Sequence, residues 1–503
     1  MKNSIIFFMT AWLLNATGFA QTIQENHTER FFASIHNNAA GLEAFLTAMP
    51  KGGDLHNHES GATFAKNALR YAYQDHLCVD RNTFVVSQNP NCAADNLLNT
   101  AINDSNFYNS LIDAWTMRHF VAGKESGHDH FFATFGKIGA ITSAHRGDIL
   151  AEIMKRASTE NELYLELMVT IDGNASGRLG KQLGWDADSN FNRMREKLLA
   201  SEDFNKIIID SSKNLDADDA KKESILNCKI NSANTGCDVT IRYLYQVLRE
   251  QPPENVFAQM LLGFELAHKD PRVVGINMVQ PEDGTISMRD YKLQMQMLGY
   301  LHQLYPDVHV SLHAGELNDA LVPAEGLTFH IHDAVETAHA NRIGHGVDLI
   351  HEDNVESLLK TMADNHILVE INLSSNQDIL NIFGKSHPLP IYLSHGVPVA
   401  LSTDDEGVSR ENLVVQYLKA AREFNFDYLT LKMLARNSIS YAFLRGENLW
   451  QDHEYRKTVL PCVTDSLGSD TVSASCRAFL TSNEKAKMQW ELEKRFVRFE
   501  QGF

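Results

Sequence analysis

MPKGGDLHNHESGA, residues 49–62, sets two histidines, His56 and His58, two positions apart in a short run behind Lys51 and a glycine pair. In an extended strand the side chains at i and i+2 leave the same face, so the two imidazoles converge on one small volume. That spacing fits either a metal-binding strand end or two histidines on a wet strand face. The rest of the chain has to separate them.

Outward from this stretch the chain alternates strand-like runs with helical ones. After GGDLHNH come YLELMVT, DVTIRYLYQV, VVGINMV, VHVSLHA, RIGHGV, ILVEINLSS and VPVALSTDD. Eight such runs with helices between them predict an α/β fold, a TIM-like (β/α)8 barrel. Polar groups recur at the C-terminal ends of these runs, the end at which barrel enzymes build their sites. SLHAGEL supplies His313 and Glu316, RIGHGVD supplies His345, and LSTDDEG supplies Asp404 and Asp405. Packing alone gives no reason for the same punctuation on several strands.

The chain has 503 residues, 44% of them hydrophobic, and a formal net charge of −19. Its length and apolar content suffice for one large barrel with additions. The negative charge argues against nucleic acid or an anionic membrane as a partner. Residues 1–20, with Lys2, an apolar run and small residues up to Ala20, have the layout of a signal peptide, and the apolar run is shorter than a membrane span needs. An exported protein, periplasmic or extracellular, is expected, with no membrane association after cleavage. The six cysteines fall into three local couples, Cys78–Cys92, Cys228–Cys237 and Cys462–Cys476, which suit disulfides in an oxidising compartment. The organisation read from the pattern is a helical extension over 21–49, a barrel over 50–446 with insertions at about 71–110 and 201–236, and a C-terminal helical region over 447–503. Within the extension, FFASIHNNAAGLEAFLTAM reads as one helix.

Three neutral imidazoles and a carboxylate from these strand ends form a nitrogen and oxygen set suited to one zinc ion. Such a site makes hydroxide available near neutral pH. Glu316 then suits proton donation to a substrate ring, and His345 suits holding or deprotonating the attacking water. The glycines before the H-x-H are expected to let the backbone approach metal or substrate closely.

In series, DLHNHESGA, HAGE, RIGHG and STDD resemble the adenosine deaminases of the metal-dependent hydrolase superfamily, and the resemblance runs from about residue 49 to 446. The exported start, the N-terminal helix and the cysteine-bearing insertion look closer to the secreted adenosine deaminase growth factor branch. The resemblance implies that His56, His58, His313 and Asp404 bind zinc and that Glu316 protonates purine N1. It further implies that His345 positions the hydroxide and that Asp405 contacts N7. Hydroxide adds to C6, and ammonia leaves to give inosine.

Two places depart from the family's pattern. INMVQPEDG stands where a DLAG-x-E pattern is usual, so Asn277 replaces an acid, Gln280 replaces a glycine that meets purine N3, and Glu282 keeps the final acid. Glu406 follows the two aspartates in place of a frequent proline. Further substrate contacts are expected from Gln280, from Glu166 as a ribose partner and from Trp115 as a pocket wall. His330, His332 and His339 read as surface or packing residues. Ser374, Ser375 and Asn376 line the pocket mouth or cap a helix.

The nucleobase deaminases with H-x-E and P-C-x-x-C are excluded, because Pro461-Cys462 has no second cysteine at the needed spacing. VVGINMV lacks the lysine that bridges two metals in many related hydrolases, which favours a single ion. The expected function is zinc-dependent deamination of adenosine or 2′-deoxyadenosine. The rival within the fold is a mononuclear hydrolase or deaminase acting on a modified purine or another adenine-containing substrate. The rival of another class is a secreted binding or signalling protein with little turnover, its added segments serving partner contact or a homodimer.

Overall fold

A computed structural model describes residues 22–185, 188 and 190–503, so the expected signal peptide lies outside the described residues. Eight strands form the barrel: β1 (Gly52–His58), β2 (Glu162–Val169), β3 (Thr240–Leu248), β4 (Val273–Val279), β5 (His309–Ala314), β6 (Arg342–His345), β7 (Leu368–Ile371) and β8 (Val399–Leu401). They pair in chain order, every pair parallel. The seam between β8 and β1 closes at the site itself: the His58 N–H donates to the Asp404 carbonyl and the Asp404 N–H to the His56 carbonyl, each at 2.9 Å. Every residue of β1 and β2 is buried, as helix-covered parallel strands require. Among the described residues no helix is long and apolar enough to cross a membrane.

Three local readings change. The expected single N-terminal helix is two, Ile23–Ile35 and Ala39–Ala48, because Asn38 turns extended and its side chain caps the second by accepting from the Gly41 N–H. The run ILVEINLSS is strand only to Ile371, and Leu373–Leu380 is a helix that carries Ser374, Ser375 and Asn376. The glycine pair serves packing at the barrel's N-terminal end: a Cβ on Gly52 (φ +74°) would meet Ser438 and the Ala435 carbonyl of helix Tyr428–Ser440, and one on Gly53 would meet the Tyr164 carbonyl. Neither touches the metal centre.

The two N-terminal helices and the C-terminal helix meet on the outside of the barrel. Helix Glu484–Glu500 packs on Tyr428–Ser440, and Phe45 of the second N-terminal helix sits 5.0 Å from Phe499 and 5.3 Å from Phe503 between ring centroids. Buried Lys432 is the joint, its ammonium 2.7 Å from Glu25 of the first helix and 2.5 Å from Glu500 of the last. The three disulfides join Cys78–Cys92, Cys228–Cys237 and Cys462–Cys476.

Removing one partner of a buried ion pair leaves an uncompensated charge, and here two carboxylates share the cation. Lys432→Met is expected to lower unfolding free energy by about 3–5 kcal/mol in denaturant titration. A loss under about 1 kcal/mol would show that water replaces the ammonium.

Candidate metal centre and active site

Strands β1, β5 and the end of β8 bring His56, His58, His313 and Asp404 together. The Nε2 atoms of His56 and His58 each lie 3.2 Å from His313 Nε2, and Asp404 Oδ1 is 3.5 Å from His56 Nε2 and 3.2 Å from His58 Nε2. Each ring is held by its other nitrogen. His56 Nδ1 donates to the Glu370 carboxylate at 2.6 Å, which can only accept. His313 Nδ1 donates to Asn277 Oδ1 at 2.8 Å, an atom fixed as the oxygen because it also accepts the His313 backbone N–H. His58 Nδ1 faces Gln246 Oε1 at 3.0 Å. With the protons outward, three Nε2 lone pairs point at one another. A cation between them turns that repulsion into coordination, so the donor set fits a metal ion, and three nitrogens with one oxygen suit zinc.

His345 also brings a ring nitrogen near His56, His313 and Asp404, but its proton lies on the wrong atom for a ligand. The Leu389 N–H donates to His387 Nδ1 at 3.1 Å, so the His387 proton sits on Nε2 and goes to Asn376 Oδ1 at 3.0 Å. The Asn376 amide nitrogen therefore donates to His345 Nδ1 at 2.8 Å. Burial pushes the His345 pKa down to about 3, so the ring is neutral and carries its proton on Nε2, 3.9 Å from Asp404 Oδ2. It turns that N–H toward the centre without reaching hydrogen-bond distance of Asp404.

The turn after β5 is fixed by Glu282, which accepts from the N–H groups of Gly315 (3.0 Å) and Glu316 (2.9 Å) and from His330 Nδ1 (2.6 Å). Burial opposes its charge, but the His330 bond, together with the charges of His330 and Arg249 and the Glu316 N–H, outweighs it and takes Glu282 to about 2. Burial, reinforced by Asp404 and Glu282, pushes Glu316 well above the usual glutamate range. Asp405 is pushed up likewise by burial, with His58 opposing and Asp404 reinforcing. Burial thus favours the protonated form of both side chains. Asp405 occupies space that any side chain at Gly61 would fill, and the His56 ring rests where a Cβ on Gly344 would lie. Three site residues have left-handed backbones, Gln280 (φ +83°), His345 (φ +69°) and Asp404 (φ +61°), a strain that clusters at functional sites.

A cavity of about 390 Å³ opens onto His58, His313, Glu316, Asp404 and Asp405. Gln280 lines it; its backbone keeps a conformation that favours glycine, and its side-chain oxygen is occupied by the Glu250 N–H at 3.0 Å. Two expected contacts lie elsewhere. Glu166 faces the barrel interior, with one oxygen bound to Arg342 (2.5 Å) and the other to Tyr164 (2.8 Å) and the Phe443 N–H (2.6 Å), so no oxygen is left for ribose. Trp115 is buried and donates to the Phe84 carbonyl at 3.0 Å, outside the cavity's lining. The aromatic wall instead comes from Phe131, Phe132 and Phe135 of helix Gly127–Thr142. His330, read as surface or packing, is fully buried and stacks on Tyr291 at 3.7 Å while pairing Glu282. Glu370 and Gln246 carried a usable signal, a polar side chain on an apolar strand. Asn376, expected at the pocket mouth or a helix cap, instead joins His387 to His345, and His387 carried no signal.

Residues 209–450 match the profile of the family described as adenosine deaminase. The adenosine deaminase of Clostridium acetobutylicum is 33% identical over 141 residues, 28% of this chain and 39% of that protein. That of Escherichia coli is 31% identical over 142 residues, again 28% and 39%. The aligned stretch spans about two fifths of these curated relatives. The apo structure of N6-methyl-AMP deaminase from Arabidopsis thaliana superposes with a TM-score of 0.50 at 20% identity, covering 80% of this chain and 94% of that one, a likeness of fold.

Glu370→Gln should lower zinc affinity by about 10- to 100-fold in competition with a chromogenic chelator, because His56 loses its carboxylate partner. Unchanged affinity would remove His56 from the ligand set. Glu282, with a folded pKa below its ordinary 4.5, adds stability that is complete above that value and lost as pH falls toward 2. Urea midpoints of Glu282→Gln should therefore vary less with pH across that window than those of the parent chain.

Proposed function

We propose that this chain, which belongs to the adenosine deaminase family through residues 209–450, is a zinc-dependent deaminase of adenosine or 2′-deoxyadenosine. It would release ammonia and give inosine or 2′-deoxyinosine. The observation that carries this reading is the adjacency of two opposite preparations. Three imidazoles with outward protons and Asp404 offer a metal site, while Glu316 and Asp405 beside them are carboxyls whose burial favours the protonated form.

His56, His58, His313 and Asp404 would hold the zinc, which when bound supplies the Lewis acidity that makes water nucleophilic near neutral pH. Glu316 gives its proton to ring nitrogen N1, which drains electrons from C6 as the C–O bond forms. Asp405 donates to N7 and fixes the ring's orientation. His345, with its proton on Nε2, steadies the attacking oxygen and does not remove its proton. The proton of the added hydroxyl then passes to N6, relayed by the Glu316 carboxylate left after N1 protonation, and the C6–N6 bond breaks so that ammonia leaves and C6 keeps a carbonyl.

The cavity supports an uncharged nucleoside. Its walls are phenylalanine rings and aliphatic side chains around three carboxyl groups, and among its described lining residues there is no lysine or arginine. Arg146, in the adjoining chamber, is already tied to Asp218. A phosphate would meet carboxyl groups without a counter-charge. We also propose export, supported by the three disulfides. Together with the paired N-terminal helices, these support the secreted growth factor-like branch.

Zinc-loaded protein is expected to release ammonia from adenosine and 2′-deoxyadenosine, to stop with a chelator, and to act on AMP about 10²-fold or more below adenosine in kcat/KM. Adenine and N6-methyladenosine complete the panel. Glu316→Gln should retain zinc and lose about 10²-fold or more in kcat. If no purine in the panel is turned over, the protein is not a deaminase of this class.

A further inference from the structure

A second cavity, of about 520 Å³, opens at the opposite end of the barrel, among the N-terminal ends of β5 and β6 and the segment after helix Tyr428–Ser440. It shares no lining residue with the metal-centre cavity. Ligand pockets for metabolite-sized molecules fall in this range of volume.

In a chain of net charge −19 its lining is charge-balanced, Arg342 and Lys485 against Glu336 and Asp452. Four histidines line it, His309, His339, His366 and His453, with Arg342 and Lys485. Arg342 is satisfied: it holds Glu370 and Glu166 and lies 3.7 Å from the centre of the Phe443 ring, on which His309 also stacks at 4.4 Å. Lys485 is not satisfied. Among the described residues its ammonium makes no ion pair and no hydrogen bond, and the side chain is half-buried. The rings of His366 and His453 stack at 3.6 Å, and the Tyr441 hydroxyl meets His453 Nδ1 at 3.1 Å. Two acids, Glu336 and Asp452, also face the cavity, and neither reaches the lysine.

We propose that this cavity binds an oxyanion, the phosphate or carboxylate group of a small metabolite, with Lys485 as its charge partner and His309, His366 and His453 as donors. The electrostatics agree with the geometry. Burial, aided by Arg342, lowers Lys485 to about 8, and burial with Lys485 and Arg342 lowers His309 to about 4. Each cation disfavours the next, and an anion among them removes that cost. The site is independent of the deaminase reading, since it uses none of the residues assigned to the metal or the purine.

The test is calorimetric titration of the full, zinc-loaded chain with inorganic phosphate below neutrality, beside Lys485→Gln and His366→Gln. One saturable site per chain is expected, weakened about ten-fold or more by Lys485→Gln and measurably by His366→Gln, with unfolding midpoints close to the parent. His366 is exposed, so its variant keeps the test alive should Lys485→Gln fail to fold. Absence of saturable binding overturns the proposal. So does binding that neither variant weakens, since the phosphate would then sit elsewhere, the metal centre included.

Discussion

Three imidazole lone pairs facing one another across 3.2 Å are tolerable only if something holds each ring from behind and something positive sits in front. The holding groups are distributed around the barrel: Glu370 on β7 for His56, Gln246 on β3 for His58, Asn277 on β4 for His313. Each must point inward from a strand whose neighbours alternate away from it. A shift of one residue in any of these strands would turn a holder outward and free a ring to rotate. Barrel register and donor geometry are therefore one constraint, and the seam between β8 and β1, closed by the backbones of His56, His58 and Asp404, ties them together.

The same constraint explains why the barrel interior is ionic below the site. Glu370 needs its second oxygen occupied, and the Arg342 Nε (2.6 Å) and the Ser311 hydroxyl (2.9 Å) do that. Arg342 in turn takes Glu166, the Tyr441 carbonyl and the Phe443 ring. Buried charges of this kind rarely add net stability over a hydrophobic equivalent. What the chain gains is orientation, an imidazole backed by a carboxylate whose own position is fixed by a guanidinium. Glu166, legible as an inward glutamate, belongs to this chain of contacts and not to the substrate.

The barrel and its donors were legible because both leave periodic marks. Alternating runs announced the eight strands, and polar residues at their ends announced His56, His58, His313, Glu316, His345, Asp404 and Asp405. The pocket wall was not legible. Phe131, Phe132 and Phe135 come from a helix more than seventy residues after the H-x-H, and a phenylalanine run on a helix looks the same whether it meets core or substrate. Trp115 shows the converse, an aromatic whose polar end is taken by a loop carbonyl. The path from Leu389 through His387 and Asn376 to His345 was hidden for another reason: it is made of single hydrogen bonds between residues with no shared spacing.

The two departures on β4 acquire different meanings once the side chains are placed. Asn277 faces His313 rather than the cavity, and an amide oxygen there accepts both His313 N–H groups without adding a negative charge. Asp404 and Glu370 then remain the carboxylates that touch the ligand rings, and Arg342 balances the second. An acid at 277 would back His313 more strongly but would place a further buried anion near Glu316, whose neighbours already push its proton affinity up. Gln280 keeps the left-handed backbone that a glycine would adopt freely, and its side chain is tied to the Glu250 N–H. The backbone amide thus keeps the glycine-like geometry, at a conformational cost of about 1–3 kcal/mol that the surrounding bonds must offset.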